Sequence, residues 1–180
     1  MKEINIVLTQ TNTIISKTLK RLSKKPYNHI SISLSDDCST MYSFGRKIIW
    51  FPLVGGFVKE EVNEGIFKMY PETKCKIYKL AITDEEYETV LERLNNFLQD
   101  PNKFKYSFLN LFFMYLNVPF SRENHYVCST FVAYLLWGIV PIKKEISLVV
   151  PDDYNNLKLE AVYEGELKSY VNSKVACNNI

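Results

Sequence analysis

A cysteine at the start of an apolar helix is the strongest chemical feature of this sequence. Cys128 precedes an apolar run in which Phe131, Val132, Leu135 and Leu136 recur at helical spacing. This spacing predicts a buried helix with Cys128 in its first turn. Unpaired amides and the positive end of the helix dipole stabilise a thiolate there, and the thiolate is the nucleophilic form of cysteine. The alternative is a structural cysteine, because free cysteine packs well as a small buried hydrophobic residue.

His29, far upstream of the cysteine, is the candidate base. It begins an alternating run that predicts a strand, with Ile30, Ile32 and Leu34 on one face and His29, Ser31 and Ser33 on the other. A turn at residues 35–39 and a returning strand at 41–44 complete a predicted hairpin. The alternation therefore places His29 at the start of a strand, on its polar face. The competing interpretation is a surface histidine without a chemical role.

The elements that must position these two residues are predicted by periodicity and capping signals. Strands are expected at residues 4–8, 75–82 and 161–165, and a helix at 14–22 that ends at Pro26. Thr83 and Glu86 form a capping box that opens a second helix, which Asp100 and Pro101 end.

Two apolar stretches do not follow a simple pattern. Residues 48–58 contain Pro52, Gly55 and Gly56, and we expect a loop or an irregular edge that covers a groove. Residues 104–120 are the most apolar part of the chain, and a core helix is the favoured interpretation. An exposed version would be a surface for a lipid or a protein partner. Both stretches are too short to cross a bilayer, so no transmembrane segment is predicted, and peripheral membrane contact stays open.

Length and composition indicate one globular domain. A chain of 180 residues with 47% hydrophobic residues can bury a substantial core, and 14% aromatic residues suit a mixed fold with an aromatic-lined groove. The formal net charge of +2 is too small to predict binding to nucleic acid. A basic cluster at residues 17–25 is interpreted as the solvated face of a helix.

The cysteine pattern predicts free thiols in a reducing compartment. Cys38, Cys75, Cys128 and Cys177 form no CxxC pair, and the start of the chain lacks the apolar core of a signal peptide. We therefore expect a cytoplasmic protein. Two histidines without paired cysteines nearby argue against a structural zinc site, and no metal or cofactor is predicted.

Two stretches together resemble the circularly permuted NlpC-type papain-like superfamily, in particular its YiiX/YebB-like cysteine hydrolases. They are residues 27–34 with 41–46 (YNHISISL and MYSFGR) and residues 126–136 (YVCSTFVAYLL). In permuted members the histidine strand precedes the cysteine helix, which is the order found here. Weaker similarities at residues 55–58, 151–153 and 163–165 extend the resemblance over most of the chain.

The resemblance implies an α+β fold over residues 1–180, with an antiparallel, barrel-like sheet packed against helices. It also implies Cys128 as nucleophile and His29 as general base. Family members usually place a His, Asn, Gln or Glu on the strand after the histidine strand, to orient the imidazole. The corresponding place here falls near Ser43, which is the predicted third residue. A serine hydroxyl is a weaker partner than a carboxylate, so a dyad, a tyrosine partner or reduced activity stay open.

The predicted function is a thiol-dependent hydrolase of an amide or ester, acting through a thioester on a small molecule, a peptide or an acyl lipid. One alternative is a lipid acyltransferase of the lecithin:retinol type, and another is a catalytically weak binding module of the same fold. Rival site residues rank lower. His125 lies on the same connection as Cys128, Cys38 lies in a predicted turn, and Cys177 lies in a predicted frayed tail.

Overall fold

The computed structural model describes residues 1–11, 25–47, 54–157 and 159–178 of the chain. Within these ranges eight strands form one curled, mixed sheet. The strands are β1 (Lys2–Gln10), β2 (His29–Ser33), β3 (Thr40–Arg46), β4 (Gly55–Glu61), β5 (Lys74–Ile82), β6 (Lys105–Tyr106), β7 (His125–Tyr126) and β8 (Glu160–Glu166). Their order is β7-β6-β4-β3-β2-β1-β5-β8, and each neighbouring pair is antiparallel except the parallel pair of β6 and β7.

The helices and this sheet make the protein α+β, which confirms the predicted class. The α-helices of the described ranges are α1 (Gly65–Met69), α2 (Asp84–Gln99), α3 (Phe108–Tyr115), α4 (Cys128–Leu135) and α5 (Leu167–Asn178), and two 3-10 helices cover Ile146–Leu148 and Pro151–Asn156. The helix predicted at 14–22 lies outside the described residues. None of the helices in these ranges combines the length and the apolar character that a membrane crossing requires.

Alternation along the central strands builds a hydrophobic core on each face of the sheet. Leu8 and Ile30 belong to a core that also contains Phe131 of α4. Val7, the neighbour of Leu8, belongs to a second core together with Leu167 and Val171 of α5. Because successive side chains of a strand point to opposite faces, α4 and α5 cover opposite sides of the sheet.

Aromatic side chains fill the space between the sheet and helices α2 and α4. The ring of Phe97 lies 5.0 Å from that of Phe131 and 4.2 Å from that of Phe104, measured between centroids. Phe44 of β3 contacts Phe131 at 5.2 Å. These rings form a buried cluster and not the aromatic-lined groove expected from the composition, and the cluster fixes the helix that carries Cys128.

Both ends of α4 are held by side-chain hydrogen bonds. At its start, the Thr130 hydroxyl accepts from the Val127 amide at 3.0 Å. At its end, the Arg93 guanidinium of α2 donates to the carbonyls of Leu135 and Trp137, both at 2.9 Å. Because a helix leaves its last carbonyls unpaired, Arg93 satisfies groups that would otherwise need water.

Most predicted elements are found, with three corrections. The strands at 4–8, 75–82 and 161–165, the hairpin of β2 and β3, and the capped helix α2 are confirmed. Residues 55–58, expected as a loop or an edge, belong to β4, which lies inside the sheet between β3 and β6; residues 48–53 lie outside the described ranges. Cys177 lies in helix α5 and not in a frayed tail.

The third correction concerns residues 104–120, which do not form a core helix. Their helical part is α3, and the side chain buried there is the polar Asn110. Phe112 and Tyr115 expose 59% and 78% of their surfaces. Apolar composition alone therefore gave the wrong expectation, since apolar side chains contribute much of any protein surface.

Candidate functional site

His29 is the first residue of β2, where it pairs with Thr9 of β1. Its side chain is 22% exposed, so the imidazole is partly accessible to solvent. In the part of the chain that the structure describes, β2 and β3 have one registered pair, Ile32 with Tyr42. Antiparallel continuation of this register places His29 opposite Gly45 of β3.

Glu60 of β4 is the side chain that holds the imidazole. Its Oε1 lies 2.9 Å from His29 Nε2, and its side chain is only 11% exposed. The contact reaches across β3 at Gly45, where a β-carbon would lie 3.8 Å from Glu60 Oε1 and 4.0 Å from His29 Cε1. Gly45 thus lies beside the point where the carboxylate and the ring meet.

Ser31 completes the support of this carboxylate. Its hydroxyl donates to Glu60 Oε2 at 2.6 Å and lies 3.3 Å from His29 Nε2. Ser31 and His29 share a strand face because they are two residues apart. The carboxylate is therefore fixed through both oxygens, one by the ring and one by the hydroxyl, which restricts its rotation.

The charges around His29 favour the imidazolium form. Burial lowers its pKa, but the charge of Glu60, the neighbouring Cys128 thiol and the hydrogen bond with Glu60 act in the other direction and prevail. The pKa of His29 is therefore raised well above its ordinary value of 6.5. Cys128 thus acts electrostatically on the ring, although the two residues lie far apart in the sequence.

Cys128 is the first residue of α4, as the sequence predicts, and it is 7% exposed. The first amides of a helix have no acceptor within the helix, so they are available to a negative group beside the thiol. Ser129, the next residue, donates its hydroxyl to the Val149 carbonyl and ties the helix start to the segment that follows. This contact fixes the start of the helix that carries the thiol.

Two tyrosines lie close enough to Cys128 for its charge to act on their hydroxyls. Burial, and then the charge of Cys128, raise the pKa of Tyr106, on which Arg46 acts in the opposite direction. The same two causes, in the same order, raise the pKa of Tyr154. Tyr154 is fully buried, and its hydroxyl has no hydrogen-bond partner among the described residues. A buried hydroxyl without a protein partner is uncommon.

The structure places Ser43 differently from the prediction. Its hydroxyl is buried and donates to the Ile30 carbonyl of β2 at 2.6 Å. Ser43 therefore ties β3 to β2, and the contact expected of it with the His29 ring is made by Glu60. The prediction of Ser43 as orienting residue is corrected for this reason.

The rival residues have other roles or surroundings. His125 Nδ1 donates to the Glu123 carbonyl at 2.7 Å, within its own connection. Cys38 is fully buried, and burial raises the pKa of its thiol to about 12, which keeps it protonated and inert. Cys177 is exposed on α5, and all four cysteines are free.

The sequence did not point to Glu60, because a loop or irregular edge was expected at residues 48–58 and the charged residues that follow resemble an exposed segment. Lys59, Glu60 and Glu61 stand in succession after Gly55 and Gly56. Had β4 been recognised as a strand, its alternation would have separated Glu60 from its two charged neighbours and placed it on the opposite face. Within the described ranges, no cluster of three or more His, Cys, Asp or Glu residues is arranged to hold a metal ion.

No family model, no curated protein and no solved structure matches this chain.

Proposed function

We propose that the protein is a thiol-dependent hydrolase of an amide or ester bond, built on a circularly permuted papain-like domain of the NlpC type. The observation that carries the proposal is the row Cys128–His29–Glu60: a thiol at a helix start, a strand-borne imidazole beside it, and a buried carboxylate on the imidazole. Nucleophile, base and orienting group in this order are the arrangement that thiol catalysis requires.

The imidazole is held so that its two nitrogens have different tasks. Glu60 and Ser31 contact Nε2, so Nδ1 is the nitrogen left to take the thiol proton. Transfer of the thiol proton to His29 gives a thiolate and an imidazolium, and the carboxylate of Glu60 stabilises the positive ring. Glu60 therefore acts as a positioning residue for His29.

In the proposed reaction the thiolate of Cys128 attacks the substrate carbonyl carbon and forms a C–S bond. The carbonyl oxygen becomes an oxyanion, for which the amides of the first turn of α4 and the unpaired hydroxyl of Tyr154 are the available donors. Collapse breaks the C–N or C–O bond, and the His29 imidazolium gives its proton to the leaving amine or alcohol. His29 then takes a proton from water, whose attack on the thioester releases the acid and the free thiol.

Two alternatives from the sequence stand beside this proposal. A catalytically weak binding module was favoured by the lack of a strong third residue, and Glu60 removes that reason. An acyltransferase would use the same thioester with an alcohol or amine in place of water. The exposed apolar helix α3 favours a lipid as the acyl donor of such a transferase. The free cysteines are consistent with the proposed reducing, cytoplasmic location.

The test is hydrolysis of p-nitrophenyl butyrate by the full chain, with intact-mass detection of a butyryl adduct. We expect turnover and a butyryl group on Cys128, and loss of both in Cys128→Ala. Cys177→Ser is the matched control, because this exposed cysteine lies on α5, on the other side of the sheet. Equal turnover by wild type and Cys128→Ala would refute the proposal. An added alcohol acceptor that diverts the butyryl group from water would favour the acyltransferase.

A further inference from the structure

Helix α3 and the residues after it present an apolar surface to solvent. We define this apolar surface by Phe108, Leu109, Phe112, Tyr115, Leu116 and Val118, each of which is at least 42% exposed. Single exposed apolar residues are common, but a contiguous set on one short helix is a feature of binding surfaces.

The helix is anchored in an orientation opposite to that of an ordinary amphipathic helix. Its buried side chain is the polar Asn110, whose amide donates to the carbonyls of Phe120 at 2.7 Å and Ser147 at 3.1 Å. Ser107 caps the helix by accepting from the Asn110 amide of the backbone. These hydrogen bonds hold the side of the helix that carries Asn110 against the protein. The apolar surface on the other side of the helix therefore faces solvent.

A pocket lies between the apolar surface and the segment that leads into α4. It has a volume of about 180 Å³ and is lined by Phe108, Leu109 and Phe120, with Arg122 beside them. Tyr106 and His125 also line the pocket. Tyr106 pairs with Tyr126 of β7, and β7 is followed after one residue by Cys128 at the start of α4. A molecule that lies on the apolar surface and enters the pocket therefore comes close to the start of α4.

The charges that flank the apolar surface in the sequence are mainly positive. Residues 106–121 carry no charge, and they are preceded by the exposed Lys103 and Lys105 and followed by Arg122. The acidic residue next to this set is Glu123, whose carbonyl is bound by the His125 ring. An apolar face flanked by lysine and arginine is typical of a helix that lies in the interface of an anionic lipid bilayer.

From these contacts we propose that the apolar surface docks on an anionic bilayer and that the pocket receives an acyl lipid whose ester or amide carbonyl is then presented to Cys128. The substrate class rests on the proposed hydrolase function. A lipid surface fits better than a permanently bound protein, because the pocket opens beside the apolar surface and a fixed partner would close the path that each new substrate must take.

The test is sedimentation of the full chain with vesicles of phosphatidylcholine, with and without about 30% phosphatidylglycerol, at low and high salt. Binding is measured with Cys128→Ala, so that the result does not depend on turnover. We expect binding to the anionic vesicles that weakens with salt, and a loss of about tenfold or more in the double variant Leu109→Ser/Phe112→Ser. Arg122→Gln should weaken binding to the anionic vesicles only.

The matched controls are Met69→Ser and Leu98→Ser, since both side chains are 41% exposed on other helices. They should leave binding unchanged. The proposal is overturned if the chain does not sediment with either vesicle, or if the double variant binds vesicles as well as the controls do. It is also overturned if the chain binds no vesicle and light scattering shows a dimer that the double variant abolishes. Butyrate ester turnover without vesicle binding would refute the docking and leave the hydrolase; vesicle binding without thiol acylation would refute the hydrolase and leave the docking surface.

Discussion

Replacing Glu60 with glutamine removes the charge behind His29 and keeps the shape of the side chain. The amide oxygen can still accept from His29 Nε2 at 2.9 Å, and the amide nitrogen can donate to the Ser31 hydroxyl that now donates at 2.6 Å. The fold should therefore survive. Without the carboxylate charge the pKa of His29 falls, so the imidazolium supports the thiolate less well.

The size of the effect follows from the geometry of this contact. A hydrogen bond to a charged group contributes about 1.5–3 kcal/mol, and the carboxylate here is only 11% exposed, so solvent screens it weakly. At about 1.4 kcal/mol per tenfold change, Glu60→Gln should lower the rate of Cys128 alkylation by about 10- to 150-fold. The loss applies to the acidic side of the pH profile, where the ion pair determines how much thiolate is present.

The assay is alkylation by iodoacetamide in a Cys177→Ser background, followed by intact mass. Cys38 and Cys75 do not interfere, because burial raises the pKa of each thiol to about 12. Glu61→Gln is the matched control, since this neighbouring carboxylate is 36% exposed and pairs with Lys59. An unchanged rate in Glu60→Gln, or an equal loss in Glu61→Gln, would refute the reasoning.

Three further predictions concern other parts of the structure. Tyr154→Phe should leave the melting temperature unchanged or higher, because the hydroxyl has no partner among the described residues. The same change should lower kcat for p-nitrophenyl butyrate about 100-fold with little change in KM. A lower melting temperature with unchanged kcat would contradict the assigned role. Thr83→Ala should destabilise the protein by about 1 kcal/mol in urea unfolding, since it breaks the capping box with Glu86, whereas Thr89→Ala, within the same helix, should cost less. The pKa of His29 is raised on folding, so its protonation stabilises the folded state. This stabilisation is fully present below about pH 6.5, the unfolded pKa, and is lost as the pH rises through the pKa of His29 in the folded protein. His29→Asn should therefore flatten the fall of the melting temperature with rising pH, and identical curves for the two proteins would contradict the assignment.

Local signals predicted the parts of the fold that local interactions determine. The capping box at Thr83, the alternation of β2 and the helical spacing after Cys128 each specify an element within a few residues, and all are found as predicted. The nucleophile and base candidates could be proposed because their residue types and chain order carry the information.

The remaining features depend on distant contacts that periodicity does not encode. Glu60 reaches His29 across an intervening strand, beside Gly45, and this contact is not visible in the residues around Glu60. The exposure of α3 depends on hydrogen bonds from Asn110 to two remote carbonyls, which outweigh the tendency of its phenylalanines to be buried. In both cases a single polar side chain determines the arrangement.

The most direct test of the central claim is the rate of Cys128 alkylation from pH 4 to 10, in wild type and in His29→Ala. The thiolate–imidazolium pair predicts that wild type reacts well below the pH at which an ordinary thiol ionises, about 8.5, and that His29→Ala reacts only at the pH of an ordinary thiol. A Cys128 that is inert in both proteins, or that follows the same profile in both, would contradict the proposed Cys128–His29–Glu60 site.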